Sequence, residues 1–293
     1  MKRILSFDIG GTSIKFGVID SEGNILWKDA MDTNAHLGGE ALLNSIVDKA
    51  IEIREKEEIH GVAVSTAGII NSRNGEVLVC NNIPNYVGIK VKDYLEERCG
   101  LKVAVENDVN CAALGERWRG AGADFKDIFC VALGTGVGGC IIANDRVVNG
   151  GKFCAGEVGF IKLGEDPIDS LGSTGGLIKR VAGRKNIDKS EIDGKMIFDL
   201  AFEGDTICIE EIDTLINSVA ELIAMMAYTI NPEVHIIGGA VIKQKEYLLP
   251  RILEKAKEKT IPYIADSLII KAAELENDAA ILGAAYNLLQ QGL

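Results

Sequence analysis

The two halves of the chain show the same order of hydrophobic and polar patterns. In the first half, short runs rich in β-branched and aromatic residues, separated by glycine and polar turns, predict strands. These strands are predicted at 3–10, 13–20, 25–31, 60–65 and 102–106. Apolar residues at helical spacing predict a helix at about 39–56 and another near 91–100, with a short hairpin that ends near residue 82. The predicted order is βββαβαβ, and a helix follows it.

A second set of strands begins near residue 127 and repeats this order. These strands are predicted at 128–134, 140–145, 146–150, 233–239 and 267–273. The predicted helices lie at about 209–230 and 247–258, and a long irregular and helical insert precedes the first of them.

A repeated βββαβαβ order with a closing helix predicts two α/β lobes around a cleft. The first lobe is expected to comprise 1–118 and a closing helix in 277–293, and the second to comprise 119–276.

Composition and charge exclude several classes of protein. The 293 residues carry a net charge of −12, so most of the surface would repel a nucleic acid. A small anionic ligand can still be held by local backbone dipoles. The seven cysteines are dispersed without a C-x-x-C pair, which indicates reduced thiols and therefore the cytoplasm. The sequence contains neither a signal peptide nor an 18-residue apolar segment, so no membrane association is expected.

Two glycine-rich turns occupy matching positions in the two halves. They are "DIGGTSIK" at 8–15 and "LGTGVGG" at 133–139. Glycines at such turns let backbone N–H groups approach a ligand without obstruction by side chains. Each turn could alternatively be a tight hairpin that merely needs glycine. Because both occur within a duplicated pattern, we expect them to hold a polyphosphate from the two sides of the cleft.

A pair of similar stretches also occupies matching positions. "VENDVNCAALG" at 105–115 and "LENDAAILGAA" at 275–285 both follow a predicted strand and lead into a helix. Asp108 therefore lies at the start of a helix, where the helix dipole would help to keep it ionised. Asp is also a good N-cap residue, so a capping role is the alternative for Asp108 and the expected role for Asp278.

Several motifs together resemble those of the ROK sugar kinases, a family within the ribonuclease-H-like superfamily of actin and hexokinase. The motifs are "DIGGTSIKFGVID", "AVSTAGIIN", "NNIPNY", "VENDVNCAALGERWRGAG", "LGTGVGGCII", "GGKFCAGEVGF" and "INPEVHIIGGAVI". They cover essentially the whole chain in the family's order and spacing. The resemblance implies a duplicated α/β fold and transfer of phosphate from ATP to a sugar hydroxyl, expected to be the 6-hydroxyl.

The resemblance also implies a role for individual residues. Asp108 would be the catalytic base, and Asp8 would hold Mg²⁺ through water. The phosphate-binding residues would be Gly10, Gly11, Thr12, Lys15, Gly134, Thr135 and Gly136, and the adenosine pocket would include Gly238 and Gly239. The sugar would be bound by Asn82, Asn107, Asp108, Glu157 and Asp169. Lys15 could instead be an exposed strand lysine, and Glu157 an ordinary loop carboxylate.

The sequence departs from the family at the zinc site that most members carry. Phe160 stands where the family has a zinc-binding histidine, and no cysteine lies between Cys154 and Cys208. We therefore predict that zinc is absent. A ring at this position would suit an acetamido methyl group or an aglycone, so N-acetylmannosamine, glucose and β-glucosides all remain candidate substrates.

Other classes within the same superfamily are less compatible with the sequence. ROK repressors carry a helix-turn-helix domain before the first strand, and this strand starts near residue 3. A non-catalytic sugar sensor would lack the base or a phosphate turn, and both are present. The "VENDVN" and "AGEVG" stretches argue against an acetate- or glycerol-type kinase. We expect a homodimer from the resemblance alone.

Overall fold

Two five-stranded sheets, one from each half of the chain, organise the computed structural model, which describes all 293 residues. The chain forms two compact units, each with its own sheet. The first unit comprises Met1–Ala123, Asn149–Ala155 and Leu275–Leu293, and the second comprises Asp124–Val148 and Gly156–Glu274. The division expected from the sequence places 149–155 in the second lobe and stays a prediction of domain organisation.

The first unit contains β1–β7, α1–α3 and α10. Its strands are β1 (Arg3–Ile9), β2 (Ser13–Asp20), β3 (Ile25–Asp32), β4 (Gly61–Thr66), β5 (Ile69–Asn71), β6 (Glu76–Val79) and β7 (Lys102–Asn107). Its helices are α1 (Gly39–Arg54), α2 (Val91–Cys99), α3 (Asp108–Arg119) and α10 (Ala279–Gln290). The main sheet has the order β3-β2-β1-β4-β7, and β5 and β6 form the short hairpin that the sequence predicts.

The second unit contains β8–β14 and α4–α9. Its strands are β8 (Ile128–Leu133), β9 (Val137–Ala143), β10 (Arg146–Val147), β11 (Lys162–Leu163), β12 (Asp166–Pro167), β13 (Val234–Gly238) and β14 (Ile270–Ala272). Its helices are α4 (Ile168–Gly172), α5 (Thr174–Lys185), α6 (Gly194–Phe202), α7 (Thr206–Thr229), α8 (Lys245–Glu258) and α9 (Pro262–Ala265). The main sheet has the order β10-β9-β8-β13-β14.

The two sheet orders are the same when the five strands of each main sheet are counted in chain order, without the separate hairpins β5–β6 and β11–β12. In both, the first strand pairs antiparallel with the second and parallel with the fourth. The predicted duplication and the α/β fold class are therefore confirmed. The predicted insert contains the hairpin β11–β12 and three helices, and α7 begins at Thr206 because the side chain of Asp205 accepts from the Cys208 amide.

Apolar residues cover both faces of the first unit's sheet. One face packs against α1 and α2 through residues such as Phe7, Leu43 and Val105. The opposite face packs against α3 and α10, where Gly115 and Gly283 allow close contact. A Cβ on Gly283 would lie 1.6 Å from the Cys111 carbonyl oxygen, so a larger residue would separate these two helices. This packing fixes α3, the helix that begins at Asp108.

The second unit has one large core. Helix α7 is central to it, with buried residues such as Ile212, Leu215 and Val219 facing the neighbouring helices and the sheet. None of the chain's helices combines the length and the hydropathy needed to cross a membrane.

Candidate active site

The carboxyl ends of three parallel strands bring the first group of predicted site residues together. In the first unit, Asp8 of β1 pairs with Ser65 of β4, which in turn pairs with Glu106 of β7. One position further along the strands, Thr66 lies opposite Asn107. Asp108 follows directly as the first residue of α3. Ligands bind at this edge in α/β sheets, because the strands end there and helix N-termini begin.

Asn107, rather than Asp108, caps helix α3. The Asn107 side-chain oxygen accepts from the backbone amides of Val109 at 2.9 Å and Asn110 at 3.1 Å. Its Nδ2 donates to Oδ1 of Asp108 at 2.8 Å and to the carbonyl of Gly68 at 2.9 Å. The capping role that the sequence left open for Asp108 therefore belongs to its neighbour.

The two hydrogen bonds that neighbouring residues donate to the Asp108 carboxylate both fall on Oδ1. The second donor is the Val109 amide at 2.9 Å. Oδ2 is therefore the oxygen available to a substrate hydroxyl. The pKa of Asp108 is raised from 3.8 to about 6. Burial is the main cause and the nearby charge of Asp8 contributes, while the hydrogen bonds from the Val109 amide and Asn107 act in the opposite direction. A carboxylate with a pKa in this range is well suited to accept a proton at neutral pH.

Asp8 lies in a short row of polar residues across the sheet, between Ser65 and Lys15. Its Oδ1 accepts from the Ser65 hydroxyl at 2.8 Å, and its cross-strand neighbour on β2 is Lys15. Burial raises the pKa of Asp8, whereas the Ser65 hydrogen bond and the Lys15 charge lower it. The Lys15 ammonium also donates to Oδ1 of Asn277 at 2.9 Å. Lys15 therefore lies beside Asp8, and it also connects the sheet to the segment before α10.

The first glycine turn connects β1 to β2 and is held by its own backbone. The Gly10 amide donates to the Ser13 carbonyl at 3.1 Å, and the Thr33 hydroxyl donates to the Gly10 carbonyl at 2.7 Å. A Cβ on Gly10 would lie 2.8 Å from the Ser13 carbonyl oxygen, so this turn requires glycine. Gly11 and Thr12 are exposed, and no atom lies within 4 Å of a Cβ built on Gly11. Their amides are accessible to an anion.

Asn82 lies in the exposed loop that follows β6. Four residues later, Tyr86 is fully buried, and its hydroxyl lies 3.3 Å from that of Thr66. This contact connects the Asn82 loop to the end of β4 in the same unit.

In the second unit, the second glycine turn lies beside the end of β13. Strands β8 and β13 are parallel neighbours with Ala132 opposite Gly238, so the turn after β8 and the turn after β13 lie side by side. Gly239 has φ +91°, and a Cβ there would lie 2.4 Å from the Leu133 carbonyl oxygen. The structure thus brings together the glycines predicted to bind phosphate and those predicted to line the adenosine pocket.

The start of α5 and Asp169 support the second glycine turn. The Thr174 amide donates to the Gly134 carbonyl at 2.9 Å. Asp169 Oδ1 accepts from the Val137 amide at 2.8 Å, and a Cβ on Gly136 would lie 2.5 Å from that oxygen. Thr135 is exposed at the tip of the turn. Asp169, which the resemblance assigns to the sugar, therefore has a backbone partner in this turn.

Glu157 and Phe160 lie at the two ends of one short turn of 3₁₀ helix. Glu157 is the N-cap residue without a side-chain cap hydrogen bond, and partial burial raises its pKa. Phe160 is 79% exposed. A half-buried carboxylate and an exposed ring thus occupy the segment that the resemblance assigns to sugar recognition.

The second Asn-Asp pair has a structural arrangement of its own. Asp278 occupies the N-cap position of α10, but its carboxylate makes no cap hydrogen bond. It instead forms an ion pair with Lys28 at 2.6 Å, so the predicted capping role of Asp278 was wrong. Asn277 and Asp278 hold two lysines of the β2–β3 hairpin and so attach α10 to the sheet.

The structure contains no group of three or more His, Cys, Asp or Glu side chains arranged to hold a metal ion. Cys154 is exposed in the first unit, and Cys208 is buried in α7. The absence of zinc stays a prediction. The chemistry of Asp8 fits Mg²⁺, since one carboxylate suffices for an ion that keeps most of its waters and takes phosphate oxygens as ligands. Charge at Asp8 raises the pKa of Asp108, and a cation there would counter this repulsion.

Some residues around the site were not among those predicted from the sequence. They are Ser65, Thr66, Ser72, Tyr86, Glu106, Asn110 and Asn149. Ser65 and Thr66 lie in the quoted "AVSTAGIIN" stretch, where two hydroxyls at the end of a buried strand were the available signal. Asn149 lies 39 residues from Asn110, and no local pattern connects the two.

Comparison with protein-family models gives one match that covers nearly the whole chain. The matching model is that of the ROK family, over residues 4–291. The chain belongs to the ROK family.

Named relatives of this ROK protein are sugar kinases. The glucokinase of Thermotoga maritima is 30% identical over 97% of this chain and 96% of its own. The beta-glucoside kinase of Listeria innocua is 30% identical over 99% of this chain and 98% of its own. A ROK family glucokinase from Streptomyces griseus, solved in complex with glucose and AMPPNP, superimposes with a TM-score of 0.82 at 28% identity and covers 98% of this chain and 99% of that one.

Proposed function

We propose that this protein transfers the γ-phosphoryl group of ATP to the 6-hydroxyl of a hexose-type sugar, with Asp108 as the catalytic base. It is a sugar kinase of the ROK family. The observation that carries the proposal is the geometry of Asp108. Its carboxylate lies at the start of α3, its Oδ1 is fixed by Asn107 and Val109, and its Oδ2 is available to a hydroxyl.

In the proposed reaction, the sugar hydroxyl oxygen attacks the γ-phosphorus. The bond between this phosphorus and the β–γ bridging oxygen breaks, so ADP leaves with the bond's electron pair, and Asp108 accepts the hydroxyl proton. The pKa of about 6 keeps Asp108 largely ionised at neutral pH, yet basic enough to accept a proton in the transition state. Asn107 holds the carboxylate in one orientation throughout.

The remaining residues bind and orient the two substrates in this proposal. In the proposal the turn residues Gly11, Thr12, Thr135 and Gly136 donate backbone hydrogen bonds to the phosphates, and Gly238 and Gly239 line the adenosine pocket. Gly10 and Gly134 shape the two turns, because their amides donate to the carbonyls of Ser13 and Gly136. Lys15 places a positive charge beside Asp8. Asp8 would hold Mg²⁺, which when bound neutralises charge on the phosphates.

Asn82 and Glu157 bind sugar hydroxyls in the proposal, since amides and carboxylates offer the directional partners that a polyol needs. The Asn107 amide is already engaged by Gly68, Asp108, Val109 and Asn110, so its proposed role is to orient Asp108. For Asp169, the hydrogen bond to the Val137 amide favours a role in the phosphate turn. The ring of Phe160 is exposed beside Glu157 and could contact an acetamido methyl group or an aglycone. N-acetylmannosamine, β-glucosides and glucose are therefore all candidate substrates.

The alternative is a ROK-type sugar sensor without phosphoryl transfer. It would bind sugar at the same residues and leave ATP intact. The Oδ2 of Asp108 and the exposed tips of both glycine turns, at Gly11, Thr12 and Thr135, favour the kinase, because a sensor requires neither. The cytoplasmic location and the homodimer stay predictions.

The test is release of ADP from MgATP against a panel of sugars. The panel comprises glucose, N-acetylmannosamine, N-acetylglucosamine, fructose, allose and cellobiose. We expect one sugar to give a clearly higher kcat/KM, and its product to show a ³¹P–¹H coupling to the protons on carbon 6. Sugar binding by calorimetry without ADP release would support the sensor instead.

A further inference from the structure

A buried carboxylate lies directly behind the proposed base. Glu106, the residue before Asn107, is 2% exposed at the end of β7. Its Oε1 accepts from the backbone amide of Asn107 at 2.8 Å and from Nδ2 of Asn110 at 3.0 Å. Glu106 therefore holds both the residue that caps α3 and the first turn of that helix.

The same carboxylate is connected to a distant segment of the chain. Asn110 Nδ2 lies 3.5 Å from Oδ1 of Asn149, and Asn149 Nδ2 donates to the Ser72 hydroxyl at 3.0 Å. Asn149 and Ser72 also lie close enough to Glu106 to lower its pKa. Asn149 opens the segment Asn149–Ala155, which packs with the first unit although the residues on both sides belong to the second.

The donors around Glu106 are neutral amides and a hydroxyl, and none is a cation. Burial raises the pKa of Glu106, and these hydrogen bonds act against that rise. A carboxylate buried without an ionic partner is a costly way to stabilise a fold. A fully connected buried polar network does, however, impose one geometry on the groups that it joins. The network is therefore better explained by the orientation that it gives Asn107 and Asn110 than by a contribution to the stability of the fold.

We propose that Glu106 is a positioning residue for the kinase reaction, fixing Asn107 and thereby Asp108, and anchoring the segment Asn149–Ala155 to the catalytic helix. The proposal rests on the function proposed above. Two residues after this segment the chain reaches Glu157, the proposed sugar contact. The contacts of Asn149 with Asn110 and Ser72 hold the start of the segment. One network thus serves the base through Glu106 and sugar binding through Asn149.

The chain offers a matched control for Glu106. Glu116 lies in α3, the helix that follows Glu106 and Asn107, and is 1% exposed. Its two carboxylate oxygens accept from the backbone amides of Leu275 and Ala121, each at 2.8 Å. Replacing either glutamate by glutamine introduces the same NH₂ donor among buried donors. Only Glu106 contacts Asn107, so the two substitutions separate positioning from general stability.

The experiment compares Glu106→Gln with Glu116→Gln. Glu106→Gln should lower kcat at least about tenfold and leave the KM for ATP within about twofold. Loss of the Glu106 charge alone would lower the pKa of Asp108, whereas a weakened hydrogen bond from Asn107 would raise it. Positioning therefore predicts that the pH midpoint of kcat/KM moves upward, by about half a unit or more. Glu116→Gln should change each of these quantities less than about twofold at a comparable loss of thermal stability. Equal kinetic effects of the two variants, or none in Glu106→Gln, would overturn the proposal.

A milder variant covers the case in which Glu106→Gln does not fold. Asn149→Ala leaves the contacts of Glu106 with Asn107 and Asn110 intact. It should raise the KM for the sugar about fivefold or more with a smaller change in kcat. An unchanged KM for the sugar would contradict the anchoring role of Asn149.

A measurement without turnover distinguishes failure of this proposal from failure of the kinase assignment. The Asp108 carboxyl can be titrated by ¹³C NMR in wild type, Glu106→Gln and Glu116→Gln without any sugar. An upward shift of the midpoint in Glu106→Gln alone supports positioning even if the panel reveals no substrate. The same midpoint in all three proteins would reject it even if the enzyme is active.

Discussion

Asn107 donates a hydrogen bond of 2.8 Å from Nδ2 to Oδ1 of Asp108 while its own Oδ1 caps the helix on which Asp108 lies. The residue that starts the helix is therefore also the one that orients the carboxylate. Because both contacts come from one side chain, helix geometry and the orientation of Asp108 are coupled. This coupling makes the reactivity of the site dependent on a residue that need not touch the phosphate.

The pH dependence of the reaction should follow Asp108. Its pKa is raised to about 6, so kcat/KM should rise with pH to a midpoint near this value and level off above it. Below the midpoint the protonated carboxyl cannot accept the hydroxyl proton. The measurement is kcat/KM for the best sugar between pH 4.5 and 8.5. A midpoint near the ordinary value of 3.8 would mean that burial does not perturb the base.

Asn107→Ala should impair catalysis more than it impairs folding. Loss of the cap should cost about 1 kcal/mol of stability. The hydrogen bond to Asp108 favours the ionised form, so its removal should move the pH midpoint upward and lower kcat. Asp193→Ala is the control, because Asp193 caps α6 through the Met196 amide at 2.8 Å. Equal effects of both variants on kcat would refute the coupling.

Asp169→Ala should raise the KM for ATP rather than the KM for the sugar. The substitution removes the acceptor for the Val137 amide and so loosens the second glycine turn. Asp169→Asn keeps an acceptor oxygen and should have a smaller effect. Asp166→Ala, in the same segment, serves as the control. If the KM for the sugar rises instead, Asp169 contacts the sugar, as the family resemblance implies.

His235 should limit stability in acid. It is 2% exposed in β13, neither ring nitrogen has a hydrogen-bond partner, and burial lowers its pKa from 6.5 to about 4. The unfolded chain binds this proton between these two pH values and the folded chain does not, so stability falls as pH drops through this window.

His235→Phe should therefore stabilise the protein by about 2 kcal/mol at pH 5 relative to its effect at pH 7.5. Denaturant unfolding at both pH values measures this difference. The same change at the exposed His36 controls for loss of a histidine. A gain for His235→Phe that is independent of pH would show that His235 is not the group responsible.

The duplicated fold could be predicted from the sequence because its information is local. Alternating and helical patterns in each half gave βββαβαβ twice, and both sheets have the strand order that this repetition implies. The proximity of Asp8, Asn107 and Asp108 could be predicted for a related reason. They follow parallel strands, and the carboxyl ends of such strands meet at one edge.

Contacts between distant residues could not be predicted in this way. The ion pair between Lys28 and Asp278 joins residues 250 positions apart, and it replaced the predicted cap at Asp278. The network around Glu106 depends on the return of Asn149 to the first unit. Hydrophobic periodicity gives the face on which a residue lies, but not which polar partner it meets there.

The aspartates of the two Asn-Asp pairs have different proposed roles, Asp108 in catalysis and Asp278 in an ion pair with Lys28. The measurement is steady-state kcat for Asp108→Asn and Asp278→Asn with MgATP and the best sugar, alongside thermal unfolding of both. Asp108→Asn removes a carboxyl that folding makes harder to ionise, so at pH 8 its stability should be at least that of wild type. Asp278→Asn should keep its turnover and lose at most about 1 kcal/mol, because its ion pair with Lys28 is partly exposed. We predict a fall in kcat of about a hundredfold to ten-thousandfold for Asp108→Asn alone. A folded Asp108→Asn variant with near-normal turnover would show that Asp108 is not the base.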